Sequence, residues 1–124
     1  MSLAIAHFSV GVMATALLLT LVAPRLLRSP TILVLGGIWG MLPDSHWVLP
    51  WGSGIVKSVH QTVWANIFWF HRYMDLADPT DSPKLAAVTV GALVIVLLIC
   101  ELITRARLSA TVVSPAEGPE TRHE

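Results

Sequence analysis

Two side chains that can bind a metal or carry a proton, Asp44 and His46, directly follow an apolar stretch, residues 31–40 (TILVLGGIWG). A carboxylate beside such a stretch costs free energy unless it is paired, hydrogen-bonded or coordinated. The position of Asp44 therefore indicates that it has a partner elsewhere in the chain.

The same side-chain types recur at His71 and Asp75 and, within the first apolar run, at His7. Residues four apart lie on one face of a helix, about 6 Å apart along its axis, so His71 and Asp75 can share one metal ion. Nitrogen and carboxylate donors together suit Zn²⁺ and related metals. We therefore predict a site for a divalent metal, with Zn²⁺ as the candidate ion, whose ligands come from His7, Asp44, His46, His71 and Asp75.

His60 is a weaker candidate ligand. It precedes His71 by 11 residues, which is about 16 Å in an unbroken helix and too far for one metal. His60 can join the site only if the helix breaks.

The chemistry expected of such a site is hydrolysis, because three protein ligands leave a position at which water is activated. The candidate catalytic residues are Asp44, His71 and Arg72, with Arg72 or Lys57 placed to neutralise an anionic substrate.

The composition predicts an all-α integral membrane protein. Of 124 residues, 54% are hydrophobic and 13% are charged, and the mean hydropathy is +0.68, above the range of ordinary soluble domains. The formal net charge is zero, so the sequence lacks the basic footprint of a nucleic-acid-binding protein. The single cysteine excludes an internal disulfide.

Three apolar runs, residues 3–23, 30–49 and 84–104, are each long enough to cross the bilayer as a helix. Arginines follow the first and third runs and none precedes the first, which places the N-terminus outside and the C-terminus inside a cell membrane. We predict a multi-pass membrane domain over residues 1–107 and a disordered cytoplasmic tail over residues 108–124.

Between the second and third runs, residues 55–74 alternate apolar and polar side chains with the period of a helix. Such a helix favours the membrane interface, and the alternative is a fourth membrane helix. The outer headgroup level would then be marked by Trp47, Trp51, Trp64 and Trp69.

Helix geometry places two of the candidate ligands at similar depth. His7 is 18 residues from Arg25 and Asp44 is 15 from Ser29, or about 27 Å and 22 Å above the inner face. A shared metal requires their side-chain ends to lie within about 4–5 Å, together with His71 or Asp75. Glycines on both helices predict that these helices pack closely.

The residues also resemble a known family, small integral-membrane proteins described as membrane-bound metal-dependent hydrolases. Such proteins carry a histidine four residues before a glycine in the first helix, as at His7 and Gly11. They also carry a glycine followed by Pro-Asp after the second helix, as at Gly40, Pro43 and Asp44.

An His-Arg pair follows in the family, as at His71-Arg72, so the resemblance covers residues 4–75. It departs at His46, where the family has a second aspartate, and at Asp75-Leu76-Ala77, where the family has Thr-His-Ser. The resemblance implies a metal-dependent hydrolase in which Asp75 replaces a histidine ligand, or else a degenerate, inactive site.

Two functions from different classes remain open. The first is a metal-dependent hydrolase that acts on an ester or phosphodiester at the outer membrane face. The second is a non-catalytic membrane protein whose polar cluster is structural or binds a partner. The expected partners are the lipid bilayer and either a second copy of this chain or another membrane protein.

Overall fold

A computed structural model describes residues 4–47, 51–80 and 82–112, and this part of the chain is helical, with no strand. It contains five α-helices: α1 (Ala4–Val22), α2 (Pro30–Met41), α3 (Ser53–His60), α4 (His71–Ala77) and α5 (Pro83–Val112). Three 3-10 helices connect them: Pro24–Arg28, Leu42–Trp47 and Val63–Ile67. The all-α prediction is confirmed.

Two of these helices, α1 and α5, are long and apolar enough to cross a membrane. α1 has 19 residues with a mean hydropathy of 2.0, and Pro83–Ala110 of α5 has 28 residues with a value of 2.7. Leu21 and Val22 of α1 and Leu102 of α5 leave more than two thirds of their surface exposed, as expected of side chains that face lipid. They match the first and third predicted spans.

The second predicted span, residues 30–49, is shorter than expected. α2 ends at Met41 after 12 residues, which is about 18 Å against a hydrocarbon core of about 30 Å. Pro43 follows and has no backbone N–H to donate to the carbonyl four residues earlier, that of Trp39, which accepts from Leu42 instead. The chain continues as the 3-10 helix Leu42–Trp47, which carries Asp44 and His46.

Glycines bring α1 and α2 into close contact. A Cβ on Gly11 would lie 2.5 Å from the carbonyl oxygen of Gly36, and a Cβ on Gly40 would lie 2.8 Å from that of His7. Larger side chains would separate the helices, so the predicted close packing is confirmed.

Helix α5 packs against α1 with the C-terminal ends of the two helices together. Arg107 donates a hydrogen bond of 2.9 Å to the carbonyl oxygen of Thr20. α5 continues to Val112, five residues beyond the predicted membrane domain, and the rest of the predicted disordered tail lies outside the described residues.

The prediction of a single interfacial helix over residues 55–74 is wrong. α3 ends at His60, Thr62 is extended, and a 3-10 helix and α4 follow. The Thr62 hydroxyl donates to the carbonyl oxygen of Val59, and Asn66 accepts from the backbone N–H of Tyr73. These side-chain bonds compete with a continuous helix and fold the segment back on itself.

Candidate metal centre

Five buried or partly buried side chains converge where the N-terminal half of α1 meets the end of α2. His7 comes from α1, Asp44 from the 3-10 helix Leu42–Trp47, His60 from α3, and His71 and Asp75 from α4. Four separate elements therefore contribute to one cluster, which we call the His–Asp centre.

Asp75 lies closest to the histidines of the centre. His7 Nε2 is 3.1 Å from Asp75 Oδ1, and the Nε2 atoms of His60 and His71 are 3.0 Å and 3.6 Å from Asp75 Oδ2. The two carboxylate oxygens thus face different histidines.

Asp44 repeats this arrangement. Its Oδ2 lies 3.8 Å from His7 Nε2, and its Oδ1 lies 3.4 Å from the Nε2 atoms of both His60 and His71. The proximity that a shared metal requires of His7, Asp44, His71 and Asp75 is therefore confirmed.

The cluster is buried except on one side. The side chains of His7, His71 and Asp75 are at most 5% exposed and that of His60 is 8% exposed, whereas Asp44 retains 14%. Asp44 is therefore the most exposed member of the centre.

A backbone carbonyl orients the ring of His71. The distance from His71 Nδ1 to the carbonyl oxygen of Gly40 is 3.0 Å. Because a carbonyl oxygen only accepts, Nδ1 is the donor and Nε2 is the nitrogen that faces the carboxylates, an orientation like that of metal-binding histidines whose second nitrogen donates to a carbonyl. The rings of His7 and His71 are stacked, with centroids 3.9 Å apart.

Several polar atoms at the centre have no hydrogen bond within the described residues. They are Asp44 Oδ1, His60 Nε2 and His71 Nε2, all buried. Buried polar atoms in native proteins are nearly always satisfied, and an exception calls for an explanation such as an ion. A cation placed among these atoms would satisfy all three.

Two overlapping sets of three residues have ligand atoms within 4.8 Å of one another. One set is His7, Asp44 and His71, and the other is His60, His71 and Asp75. His71 belongs to both. The donors are imidazole nitrogens and carboxylate oxygens, which fit Zn²⁺ and similar divalent ions.

The environment of His60 favours its neutral form. Burial lowers the pKa of His60 below the ordinary value of 6.5, although the charge of Asp75 acts in the opposite direction. Since a histidine must be neutral to bind a metal, this shift helps His60 to serve as a ligand.

Two residues predicted for the site lie at its edge. His46 Nδ1 bonds to the carbonyl oxygen of Pro43 at 2.7 Å, and the His46 ring packs against those of Trp47 and His60. It belongs to neither set of ligands. Arg72 is half-buried on α4, directly after His71.

His60 is a candidate ligand that a continuous helix over residues 55–74 would hold away from the site. The break after α3 brings the rings of His60 and His71 to 5.0 Å between centroids, where a continuous helix would hold them about 16 Å apart. Trp69 and Phe70 have positive φ angles of 52° and 63° directly before His71. This strained reversal sets the direction in which α4 begins.

Comparison of the chain with family models, with curated proteins and with solved structures finds no match.

Proposed function

We propose that this chain is a multi-pass membrane protein that binds a divalent metal at the His–Asp centre and hydrolyses an ester or phosphodiester at the outer membrane face. The observation that carries the proposal is the convergence of three histidines and two carboxylates, in which three buried atoms make no hydrogen bond within the described residues.

A purely structural role for the centre accounts less well for this geometry. Buried polar groups that hold helices together form hydrogen bonds, because an unsatisfied buried group costs about 1–3 kcal/mol. Here the Nε2 atoms of His60 and His71 and one oxygen of Asp44 face one another without such bonds. Two carboxylates in one buried cluster also call for compensating positive charge.

The proposed ligands are His7, His60, His71 and Asp75, of which His71 belongs to both sets, and Asp44 lies on the more exposed side. A divalent ion bound there supplies Lewis-acid chemistry and lowers the pKa of water. Asp44, the most exposed member of the centre, would accept a proton from attacking water. Arg72, on the same helix as two proposed ligands, would neutralise an anionic substrate.

The proposed membrane arrangement has α1 and α5 crossing the bilayer and α2, with the 3-10 helix after it, returning the chain to the outer side. Exposed tryptophans support this position of the outer interface. Trp47, Trp51 and Trp64 are 67%, 83% and 70% exposed, and they lie within or next to the elements that carry the centre in the chain. Amphipathic aromatic rings concentrate at that depth.

An apolar groove beside Asp44 supports a substrate that carries a hydrocarbon group. The groove has a volume of about 240 Å³, and Pro43 and Ser45, the neighbours of Asp44, line it together with side chains of α3 and Phe68. Ile55 and Val59 form much of its α3 wall. Burial of a hydrocarbon group there is favourable at roughly 0.8 kcal/mol per CH₂.

The metal content of the detergent-purified protein tests the proposal. We expect bound divalent metal in the wild type and its loss in His71→Ala and Asp75→Ala, because each removes a proposed ligand. Asp44→Asn, which removes the proposed proton acceptor, should retain the metal. His46→Gln is the matched control, since His46 lies beside the centre and outside both ligand sets.

The same preparations would be assayed for hydrolysis of lipid esters and phosphodiesters with and without chelator. Turnover that requires metal and is lost in Asp44→Asn supports the hydrolase. Wild-type protein that holds metal and shows no turnover would favour the non-catalytic function, and wild-type protein without metal would contradict the proposal as a whole.

A further inference from the structure

A second cavity lies at the other end of the membrane helices, near the C-terminal ends of α1 and α5. It is a groove of about 670 Å³ between α5 and the segment made of the 3-10 helix Pro24–Arg28 and α2. Leu27, Leu33 and Leu97 form its apolar wall, and Arg28, Glu101 and Arg105 lie at its polar end. We call it the arginine groove.

The charges of the arginine groove leave one cation in excess. Arg105 pairs with Glu101 four residues earlier on α5, as snorkelling side chains at a helix end are expected to do. Arg28 has no ion pair within the described residues. Its guanidinium, which presents planar donors suited to phosphate, is therefore available to an anion.

Thr104 adds an unsatisfied polar group at the base of the groove. It is 2% exposed, and its Oγ1 makes no hydrogen bond within the described residues. Thr15 and Thr20, which are also buried on a helix, donate instead to the carbonyl four residues earlier. The Thr104 hydroxyl thus lacks the partner that is usual for a buried helical threonine.

We propose that the arginine groove binds one anionic phospholipid, with the phosphate at Arg28 and Thr104 and an acyl chain along Leu33 and Leu97. The apolar wall favours a lipid over free phosphate, because phosphate would leave that wall without a partner. The position at the arginine-rich end of the helices matches the anionic cytoplasmic leaflet. This binding site is independent of the His–Asp centre.

Native mass spectrometry of the purified protein with equal amounts of phosphatidylglycerol and phosphatidylcholine tests the proposal. We expect retained phosphatidylglycerol to exceed phosphatidylcholine, and Arg28→Gln to reduce this preference about fivefold, the effect of one arginine at an anionic surface. Arg25→Gln is the matched control, because Arg25 is exposed on the same 3-10 helix and does not line the groove.

Thr104→Val removes the hydroxyl with little change in shape. We expect it to lower the retention of both lipids about two- to tenfold, the effect of losing one hydrogen bond, and to preserve their ratio. An unchanged thermal unfolding temperature in each variant would show that the fold is intact.

Three outcomes would overturn the proposal. Equal effects of Arg25→Gln and Arg28→Gln would indicate general surface attraction. Displacement of the lipid by inorganic phosphate at equal concentration would indicate an anion site. A dimer that forms as lipid is removed and is lost in Arg28→Gln would assign the groove to a second copy of the chain.

Discussion

Replacing Gly40 by alanine tests whether close packing of α1 on α2 sets the geometry of the His–Asp centre. Gly40 contacts two residues of the centre. Its Cα packs against the backbone of His7, where a Cβ would clash, and its carbonyl oxygen accepts a hydrogen bond from His71 Nδ1. A change at this residue therefore reaches two proposed ligands without removing either side chain.

The size of the effect follows from the distances. The new Cβ would lie 2.8 Å from the His7 carbonyl oxygen, whereas ordinary contacts begin at 3.4 Å, so the helices must separate by the difference, about 0.6 Å. Metal–ligand distances tolerate about 0.2 Å. We expect metal affinity to fall about 10- to 100-fold, the range seen when a group supporting a ligand is disturbed, and stability to fall by about 1–3 kcal/mol from overpacking.

The assay is competition for metal with a chromophoric chelator, together with thermal unfolding of the same samples. Gly91→Ala on α5 is the matched control, because a Cβ there meets nothing within 4 Å, and its metal affinity should equal that of the wild type. Gly40→Ala protein that is destabilised but binds metal as tightly as the wild type would refute the coupling between helix spacing and the centre.

Three further outcomes are expected. Metal retention should decrease as the pH falls, because protonated histidines do not bind metal. Since burial lowers the pKa of His60, we expect the metal to be released below the pH at which an ordinary histidine titrates. Release of the metal near pH 7 would contradict this expectation. In a Cys100→Ala background, Thr80→Cys should react with a membrane-impermeant thiol reagent from outside and Ser109→Cys only after permeabilisation, and the reverse pattern would invert the proposed topology. Chelation should increase hydrogen exchange in residues 53–77 while α1 and α5 stay protected, and equal protection with and without metal would show that the centre does not hold this segment.

The long helices and the proximity of His7 to Asp44 could be predicted because both follow from distances along the chain. An apolar run of about 20 residues has one stable form in a bilayer, and two antiparallel runs place residues of equal depth side by side. The histidine at one end of α1 therefore meets the aspartate at the end of α2, as the structure shows.

The contributions of His46 and His60 could not be predicted in the same way. Asp44 and His46 are only two residues apart in sequence, but a 3-10 helix has three residues per turn, so side chains two residues apart point about 120° away from each other. The position of His60 depends on the break after α3 and on the positive φ angles at Trp69 and Phe70. Bulky residues rarely adopt a positive φ angle, and the helical period of the sequence does not predict one here.

The short helices explain why the centre and the fold depend on each other. α3 and α4 have eight and seven residues, fewer than an isolated helix needs for stability in water. Ile55, Val63 and Ile67 on this segment are at least 63% exposed, so their side chains add little to a protein core. The contacts of His60, His71 and Asp75 with the first half of the chain are among the few that are buried. A metal bound there would contribute its binding free energy to the docking of α3 and α4, so binding of the proposed metal and folding of this segment would stabilise each other.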